Sequence, residues 1–466
     1  MSMLHPPSKL AALSLALLLA GCAVGPTYQQ PAVDVPVDFK EGRGQWIPAV
    51  PADALQRGPW WQLYGDPLLS ELASRVEISN QNVAASVAAY AQAKALVAEQ
   101  RATLFPTVSL DAGANRNGRG GGGGSSQSYQ VNIGGSWEPD VWGRLGRGVD
   151  AARAGEQASA ADLAAAKLSS QGELAADYFA LRGTDAQRTL LDETIKGYQR
   201  SLEITQNRYT AGIAAKTDVL QAQTTLANAQ ADALSLERQR AQLEHAIAVL
   251  VGLAPASFTL AAVPGWQASV PAVPLDVPST LLQRRPDIAA AERRVAAANE
   301  RIGIAQAGYY PSLRLSGSAG LSAASIGDLF SASSLVWALG VSLAQNIFNG
   351  GATTAQVAEA RAALDQAAAR YRQTVLDAFG QVEDDLIALR ILAQQLTLRQ
   401  QAAQAANQVE EQVLNRYKAG QVGYTEVITA QATALSARRN LVQIQTDRQT
   451  AALALIQALG GGWQGI

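Results

Sequence analysis

The sequence is poor in the residues from which catalytic and metal sites are usually built. Its 466 residues include one cysteine, two histidines and two methionines. Cys22 is the single cysteine, so no disulfide can form within the chain. His245 is interpreted as a surface residue of a helix. The sequence contains no metal-ligand cluster, phosphate-binding loop or nucleophile–base pair, which predicts a protein that is not an enzyme and has no metal or cofactor.

Charged residues are also scarce. They make up 16% of the chain, against roughly 25% in a typical soluble domain, and the formal net charge is −2. This balance gives no basic footprint for nucleic acid. The polar residues are mostly uncharged, which fits surfaces that face one another or a water-filled lumen.

The N-terminal residues indicate the compartment. Residues 11–20 form an apolar run that is too short to span a bilayer as a helix. The run ends in Leu-Ala-Gly-Cys at 19–22, which resembles a bacterial lipobox. The resemblance implies that residues 1–21 are a signal peptide and that Cys22 carries covalent lipid, whereas the alternative is a free buried cysteine. Ala23 after the cysteine resembles lipoproteins that are sorted to the outer membrane.

One hexapeptide occurs twice in the chain. Residues 207–212 read NRYTAG, and residues 415–420, 208 positions later, read NRYKAG. Each copy ends a helical stretch at a glycine, which can close a helix in the left-handed conformation, and another helical stretch follows. The pattern predicts two copies of one helical hairpin, with hinges at 207–218 and 415–426.

The same order of elements is predicted around each hinge. The first repeat, 67–252, is expected to hold a helix from about 67 to 102, a β-hairpin at 105–142, a helix from about 145 to 210, the hinge and a helix at 214–251. The second repeat, 285–460, is expected to hold a helix at 286–307, a β-hairpin at 309–348, a long helix to 418, the hinge and a final helix. The remaining parts are an extended segment at 22–66, a connector at 253–284 and a tail at 461–466.

A heptad-like series predicts that the helices on either side of the first hinge pack together. The series runs through Leu191, Ile195, Tyr198, Leu202 and Tyr209, and the matching series is Leu236, Leu243, Ile247 and Leu250. Such seams are typical of an antiparallel coiled coil. A helix of about 66 residues would be ~100 Å long, a length that predicts a wall of side-by-side helices.

The four predicted strands suit a membrane. Each has about 10–13 residues of alternating character, the length that crosses a bilayer when a strand is tilted. The aromatic residues at their helix-side ends are typical of a membrane interface. These residues are Phe105, Trp142, Tyr309, Tyr310 and Phe348. The alternative is a soluble four-stranded sheet.

Four strands in lipid would leave two edges of unpaired backbone amides, so more chains are needed to close a barrel. Two chains would give eight strands, whose interior fills with side chains, and three would give twelve, wide enough for water. The sequence therefore predicts a mainly helical homotrimer with long antiparallel hairpins in an α-barrel and a shared 12-stranded transmembrane β-barrel.

Several motifs together resemble one family. They are CAVGPTYQQP at 22–31, WWQLYGDP at 60–67, RRPDI at 284–288 and the two Arg-Tyr-x-Ala-Gly hinges. The chain resembles the outer-membrane factor (TolC-like) family of tripartite efflux systems, especially its OprM/NodT-type lipoprotein branch. The resemblance covers essentially the whole chain after the signal peptide. It implies a lipid-anchored trimeric channel in the outer membrane, with a helical barrel in the periplasm and an equatorial girdle around it.

The resemblance also implies partners and a function. The partners would be a periplasmic adaptor (a membrane fusion protein) and an inner-membrane transporter, commonly of the RND class. The channel would be a passive exit duct for drugs or other small molecules, in the manner of a multidrug-resistance pump. The alternatives are an exit duct for secreted proteins or metal ions, and a lipidated coiled-coil spacer that does not conduct.

The family's functional residues fall on the two hinges. By resemblance, Asp218, Tyr417 and Glu426 form a periplasmic gate, while Val422 and Thr429 depart from an arginine and an acid of the family pattern. The adaptor docking tip would comprise Arg208, Tyr209, Ala211, Gly212, Arg416, Tyr417, Ala419 and Gly420. The alternative is that the arginines and acids only complement helix dipoles at the ends of their helices.

Overall fold

The structure is a computed structural model that describes residues 24–36, 39–41, 59–119, 123–263, 265–271 and 285–461. The predicted signal peptide, Cys22, residues 23, 37–38 and 42–58 of the 22–66 segment, residues 264 and 272–284 of the connector (Arg284 among them) and residues 462–466 of the tail lie outside the described residues. The chain divides into two compact units. The sheet unit comprises the described residues within 1–32, 89–160 and 290–373, and the hinge unit those within 33–88, 161–289 and 374–466.

Most of the described chain is helical. The helices are α1 (Pro67–Ser79), α2 (Gln81–Ala102), α3 (Arg144–Thr210), α4 (Lys216–Leu250), α5 (Pro286–Ala307), α6 (Ala352–Lys418) and α7 (Tyr424–Ala458). The strands are β1 (Thr107–Arg119), β2 (Gly123–Trp137), β3 (Ser312–Ala323) and β4 (Leu335–Ala344). Short 3-10 turns occur at Trp60–Tyr64, Pro255–Ser257 and Ala332–Ser334. Within the described part of the chain, no helix is both long enough and apolar enough to cross a membrane.

The predicted single helix from 67 to 102 is wrong, because the chain breaks it at Asn80. The Asn80 side chain accepts hydrogen bonds from the backbone N–H groups of Asn82 and Val83, so it caps the start of α2. Its amide also donates to the carbonyl of Leu250, 2.8 Å away. Asn80 is buried, and its own backbone is extended. A contact that is remote in sequence therefore fixes the break, and the one signal in the sequence was Asn80 itself, since asparagine is a preferred N-cap residue.

The strands form one antiparallel sheet in the order β1-β2-β3-β4. The register confirms the predicted alternation, since Leu110 lies opposite Ile133, and Ala319 lies opposite both Ile133 and Trp337. Because partners in register share a face, the apolar positions of all four strands gather on one side of the sheet. Positions such as Ser109, Asn132 and Ser318 fall on the other side.

In the hinge unit, the coiled-coil seam is confirmed for its first part. Leu191 and Tyr198 of α3 pack with Ala229 and Leu236 of α4 in one buried cluster, which also includes Ile195. The prediction is wrong at the hinge end of the seam. Tyr209, the last residue of the series, is 45% exposed, so the described part of the chain does not cover the seam at the end of α3.

A second buried cluster links the start of α1 to α3. Trp60, Trp61 and Tyr64 pack with Tyr178 and Phe179 in a core that also contains the N-terminal half of α1. Aromatic rings of this size bury large areas and dominate such contacts.

A buried ionic network in the same unit holds the first residues of the connector. Asp185 lies between Arg182 and Arg240, at 3.0 and 2.8 Å. The two guanidinium groups donate to the carbonyls of Ala261 and Leu260. The network therefore ties the predicted connector to the α3–α4 hairpin, and it satisfies the buried charges with hydrogen bonds.

The described residues of the N-terminal segment form hydrogen bonds with residues far away in the sequence. In the sheet unit, the Val24 amide donates to the Trp142 carbonyl, and the Tyr28 hydroxyl donates to Glu292. In the hinge unit, the backbone amides of residues 40 and 41 donate to the carboxylate of Glu383.

Candidate functional site

The two predicted hinges have nearly the same backbone. Gly212 has φ 74° and Gly420 has φ 75°, a conformation that favours glycine. In each hinge the glycine amide donates to the carbonyl of the tyrosine three residues earlier, at 2.9 Å, and the next amide donates to the arginine carbonyl. Each hinge is therefore a helix C-terminal cap closed by its own backbone, followed by a helix of 35 residues.

Tyr417 is a buried side chain of the second hinge with several packing and hydrogen-bond partners. It is 3% exposed and lies in a cluster with Ala222, Tyr424 and Val427. Its hydroxyl donates to Thr205 Oγ1 at 3.4 Å, and its ring centroid is 5.3 Å from that of Tyr424. The predicted gate tyrosine is thus locked between the two hairpins of one chain.

Arg208 bridges the first hinge to the second. Its Nη1 donates to the carbonyls of Tyr417 and Lys418, at 3.0 and 3.2 Å. Its Cζ lies 4.7 Å from the centroid of the Tyr417 ring, within the range of a cation–π contact. A cation on the last carbonyls of α6 also complements the helix dipole. Arg208 therefore does complement a helix dipole, which was the alternative reading of the sequence. The helix is α6 of the second hairpin, however, and not α3, which carries Arg208.

The two predicted gate acids occupy the first turns of α4 and α7. Asp218 is half-buried, whereas Glu426 is exposed. The pKa of Tyr424 is raised to about 12, chiefly by burial and then by the Tyr417 phenol, with smaller contributions from Tyr198 and the Asp218 carboxylate, while a hydrogen bond to Thr205 lowers it. The structure therefore brings Asp218 near the tyrosine cluster and leaves Glu426 facing solvent in the single chain.

The other predicted docking residues lie at the surface. Tyr209, Ala211, Gly212, Arg416, Ala419 and Gly420 are exposed, and Arg208 is half-buried. A surface that presents its small residues and glycines in fixed loops can accept another backbone closely.

The sequence analysis missed the polar residues that join the hairpins. Thr205 is fully buried and receives the Tyr417 hydroxyl, and Gln431 donates to Ser201 Oγ at 3.0 Å. Thr205 lies one turn before Arg208 on the same face of α3, which was the one signal available. His245 is exposed on α4, as interpreted from the sequence.

A matched pair of carboxyls on the two long helices was also missed. Asp177 of α3 and Asp385 of α6 are 208 positions apart. The pKa of each is raised to about 6, chiefly by burial and then by the nearby acids Glu173 and Asp384 respectively, while Arg285 lowers that of Asp385. The 208-residue offset of the hinges would have identified this pair.

The five predicted interface aromatics lie in the sheet unit. Phe105, Tyr309, Tyr310 and Phe348 are exposed, and Trp142 is half-buried. Trp142 stacks on Tyr310 with centroids 4.7 Å apart, and its indole N–H donates to the carbonyl of Pro311. Amphipathic rings with a satisfied N–H and an exposed body suit an interface between apolar and aqueous phases.

A family model described as outer membrane efflux protein matches residues 72–253 and 277–461. The matched residues include both hinges and all four strands.

Two curated relatives span nearly the whole chain. The cation efflux system protein CusC of Escherichia coli is 27% identical over 459 residues, which cover 98% of this chain and 99% of CusC. The solvent efflux pump outer membrane protein SrpC of Pseudomonas putida is 29% identical over 456 residues, 96% of this chain and 97% of SrpC.

Solved structures share the fold. The outer-membrane channel OprN has a TM-score of 0.85 and 28% identity, and the alignment covers 95% of this chain and all of OprN. The open state of the Neisseria gonorrhoeae MtrE outer membrane channel has a TM-score of 0.83 and 29% identity, with 95% and 98% of the two chains covered.

Proposed function

Because this chain belongs to the outer membrane efflux protein family and is an outer-membrane efflux channel, we propose that three copies of it close into one duct. The observation that carries the proposal is the four-stranded sheet. Its β1 and β4 strands lie at the two ends of the sheet order, so each has an edge that pairs with no other described strand. Unpaired edges in lipid are costly, and three sheets joined edge to edge would form a 12-stranded barrel without edges.

The two faces of the sheet support this arrangement. On the apolar face, Trp337 and Leu339 are 72% and 81% exposed, and Val108, Leu110 and Val341 are similarly open. The opposite face carries small and polar residues, including Ser109, Asn132, Arg314 and Ser316. We assign the apolar face to lipid and the polar face to a water-filled lumen. The exposed aromatics at the helix-side ends would then lie at the membrane interface.

The lipid anchor is part of the same proposal. Cys22 would carry covalent lipid, including an acyl chain such as palmitate, after removal of residues 1–21. Val24 is hydrogen-bonded to the Trp142 carbonyl, and two residues of chain reach at most ~7 Å. The anchor would therefore attach close to the level of the interface aromatics.

We further propose that the chain is an internal repeat. Helices α3 and α6 have 67 residues each, α4 and α7 have 35 each, and all four pairs of bounds differ by 208 positions. Three chains would then present six similar hairpins around one axis, in one α-barrel.

The gate and docking assignments belong at the hinge end of these hairpins. Asp218, Tyr417 and Glu426 would close the lumen, and a ring of carboxylates there would attract cations. The exposed residues of both hinges would receive a periplasmic adaptor, which would connect the channel to an inner-membrane transporter, for which the RND class is our candidate.

The proposed cargo is small organic molecules. Relatives carry names for solvent, antibiotic and cation efflux. Metal ions are the second candidate, supported by the cation-efflux relatives. The chain has methionine only at positions 1 and 3, within the proposed signal peptide, so it offers no methionine series for soft metal ions.

Single-channel recording in planar bilayers tests the duct and its gate. The purified trimer is expected to show low conductance, and Asp218→Ala with Glu426→Ala is expected to increase it. The matched control, Glu99→Ala with Asp192→Ala, removes two exposed acids outside the hinges and should leave conductance unchanged. A trimer that never conducts would reject the duct, and equal behaviour of the two double variants would reject the gate assignment.

A further inference from the structure

The two hinges repeat one motif but use it differently within the chain. Arg208, Tyr209 and Thr210 in the first hinge correspond to Arg416, Tyr417 and Lys418 in the second, each 208 positions later. Their backbone hydrogen bonds and glycine φ angles agree closely. The differences between the two copies therefore come from what their side chains contact.

The contact of the first-hinge arginine with the second-hinge tyrosine is made inside the chain. Arg208 lies over the Tyr417 ring and donates to the carbonyls of Tyr417 and Lys418. Each of these carbonyls lies at the end of α6, where no further helical amide is available to it. We call this set the Arg–Tyr latch: an arginine of one hinge on the tyrosine ring and last two carbonyls of another.

The reverse contact, of the second-hinge arginine with the first-hinge tyrosine, is not made inside the described chain. The Arg416 side chain is exposed, and within the described residues the structure gives its guanidinium no hydrogen bond or ion pair. Tyr209 is 45% exposed. In the described structure the Tyr209 carbonyl accepts only the Gly212 amide, whereas the equivalent Tyr417 carbonyl accepts both Gly420 and Arg208. A donor and its matching receptor are therefore both present in one chain and both unused.

We infer that Arg416 forms the same latch with a second copy of this chain, on the partner's Tyr209 ring and on the carbonyls of the partner's Tyr209 and Thr210. In a ring of three chains, first and second hinges alternate. The first hinge of each chain contacts the second hinge of the same chain, so the equivalent contact of a second hinge is with the first hinge of the next chain. Such head-to-tail contacts close only in a ring. The inference rests on the proposed trimer and adds its interface: six latches, three within chains and three between them. It takes Tyr209 and Arg416 out of the proposed docking set and leaves Ala211, Gly212, Ala419 and Gly420 for the adaptor.

The chemistry of the motif supports a partner of this kind. A guanidinium is planar, stacks on aromatic rings and offers several donors at once, which matches a ring next to two carbonyls. Ile213 of the first hinge and Leu220 in the second turn of α4 are also strongly exposed in the single chain, which suits an interface rather than solvent. The partner's helices would cover them.

A photo-cross-linking amino acid at position 209 tests the contact in the intact trimer. After irradiation, denaturing gels are expected to show covalent dimers and trimers, with the cross-linked peptide containing Arg416. The same amino acid at position 417 is the matched control, because Tyr417 is buried inside its own chain and should give cross-links to α3 of that chain. Native mass spectrometry run in parallel reports the trimer independently.

The outcomes separate the two proposals. Intact trimers in which position 209 cross-links to nothing, or to a co-expressed adaptor only, would overturn the latch and leave the trimer standing. A chain that is monomeric in native mass spectrometry would overturn both. As a second readout, Arg416→Gln is expected to lower the yield of dimers cross-linked from position 209 about tenfold. An unchanged yield would assign the contact to another residue.

Discussion

The two hinges of this channel have the same backbone and opposite side-chain environments. Tyr417 is 3% exposed under Arg208, whereas Tyr209, at the equivalent position, is 45% exposed. The local sequence is the same, Arg-Tyr-x-Ala-Gly, so it cannot be the cause of the difference. What differs is the neighbour: Tyr417 has the first hairpin of its own chain beside it, and no described part of the chain covers Tyr209 in the same way. The same motif thus holds a core tyrosine in one hinge and a surface tyrosine in the other.

Removing the buried ring should have the largest effect. Tyr417→Ala is expected to destabilise the folded protein by about 3 kcal/mol, because truncating a buried aromatic leaves a cavity and exposes its neighbours. Urea unfolding of detergent-solubilised protein, followed by circular dichroism, measures this. Tyr417→Phe keeps the ring and loses only the 3.4 Å hydrogen bond to Thr205, so it should stay close to the parent. Equal loss in both variants would mean that the hydroxyl, not the ring, holds the hairpins.

Substitution of either hinge glycine should lower the stability of the protein by a similar amount, whereas the two hinge tyrosines differ in their environment. Gly212→Ala and Gly420→Ala are each expected to cost about 1–2 kcal/mol, because an L side chain is disfavoured at φ near 75°. Space is not the reason, since a Cβ at either position meets little or nothing. Gly197→Ala, inside α3 with open space around it, should instead stabilise by up to about 1 kcal/mol. A large difference between the two hinges in the same unfolding assay would show that their backbones are not equivalent.

The carboxyl pair on the long helices should also give matched, pH-dependent effects. The pKa values of Asp177 and Asp385 are raised to about 6 in the folded protein, above the ordinary value of 3.8. Their contribution to stability is therefore fully present below about pH 4 and is lost as the pH rises through about 6. Asp385→Asn and Asp177→Asn should remove this loss, each gaining about 1 kcal/mol at pH 7.5, since solvent screens both carboxyls in part.

Thermal unfolding at pH 4 and pH 7.5 checks these two variants. The variants and the parent should differ more at pH 7.5 than at pH 4. Glu99→Gln, at an exposed acid of α2, provides the control and should follow the parent at both values. A variant that gains stability equally at the two values would show that the effect is not the ionisation of the carboxyl.

The smallest effect is expected from a substitution that makes the first hairpin more like the second. Thr205 accepts the Tyr417 hydroxyl, and its counterpart 208 residues later is Val413. Thr205→Val copies the second hairpin into the first and keeps the shape of the side chain. We expect a loss of about 0.5 kcal/mol, because the hydrogen bond is long and the phenol loses its acceptor. A gain in stability would indicate that the Tyr417 hydroxyl finds another partner.

The errors of the sequence predictions have a common origin. The break at Asn80 depends on the Leu250 carbonyl, 170 positions away, and this contact leaves no mark in the local pattern. Tyr209 was placed in a seam by its spacing, although no described surface of the chain covers it as Arg208 and the first hairpin cover Tyr417. The gate and docking residues were placed by resemblance, and the structure adds Thr205, Ser201 and Gln431 as their supports.

The sequence by itself determined the features that a few neighbouring residues control. Glycine at 212 and 420 set where two helices end, the period of two set which strand residues share a face, and the 208-residue offset set the lengths of the long helices. Only the tertiary structure decided that Arg208 reaches the second hinge and that Arg416 remains open. Backbone conformation is governed by local sterics, whereas burial depends on which surface arrives from elsewhere in the chain, and two copies of one motif cannot specify that difference.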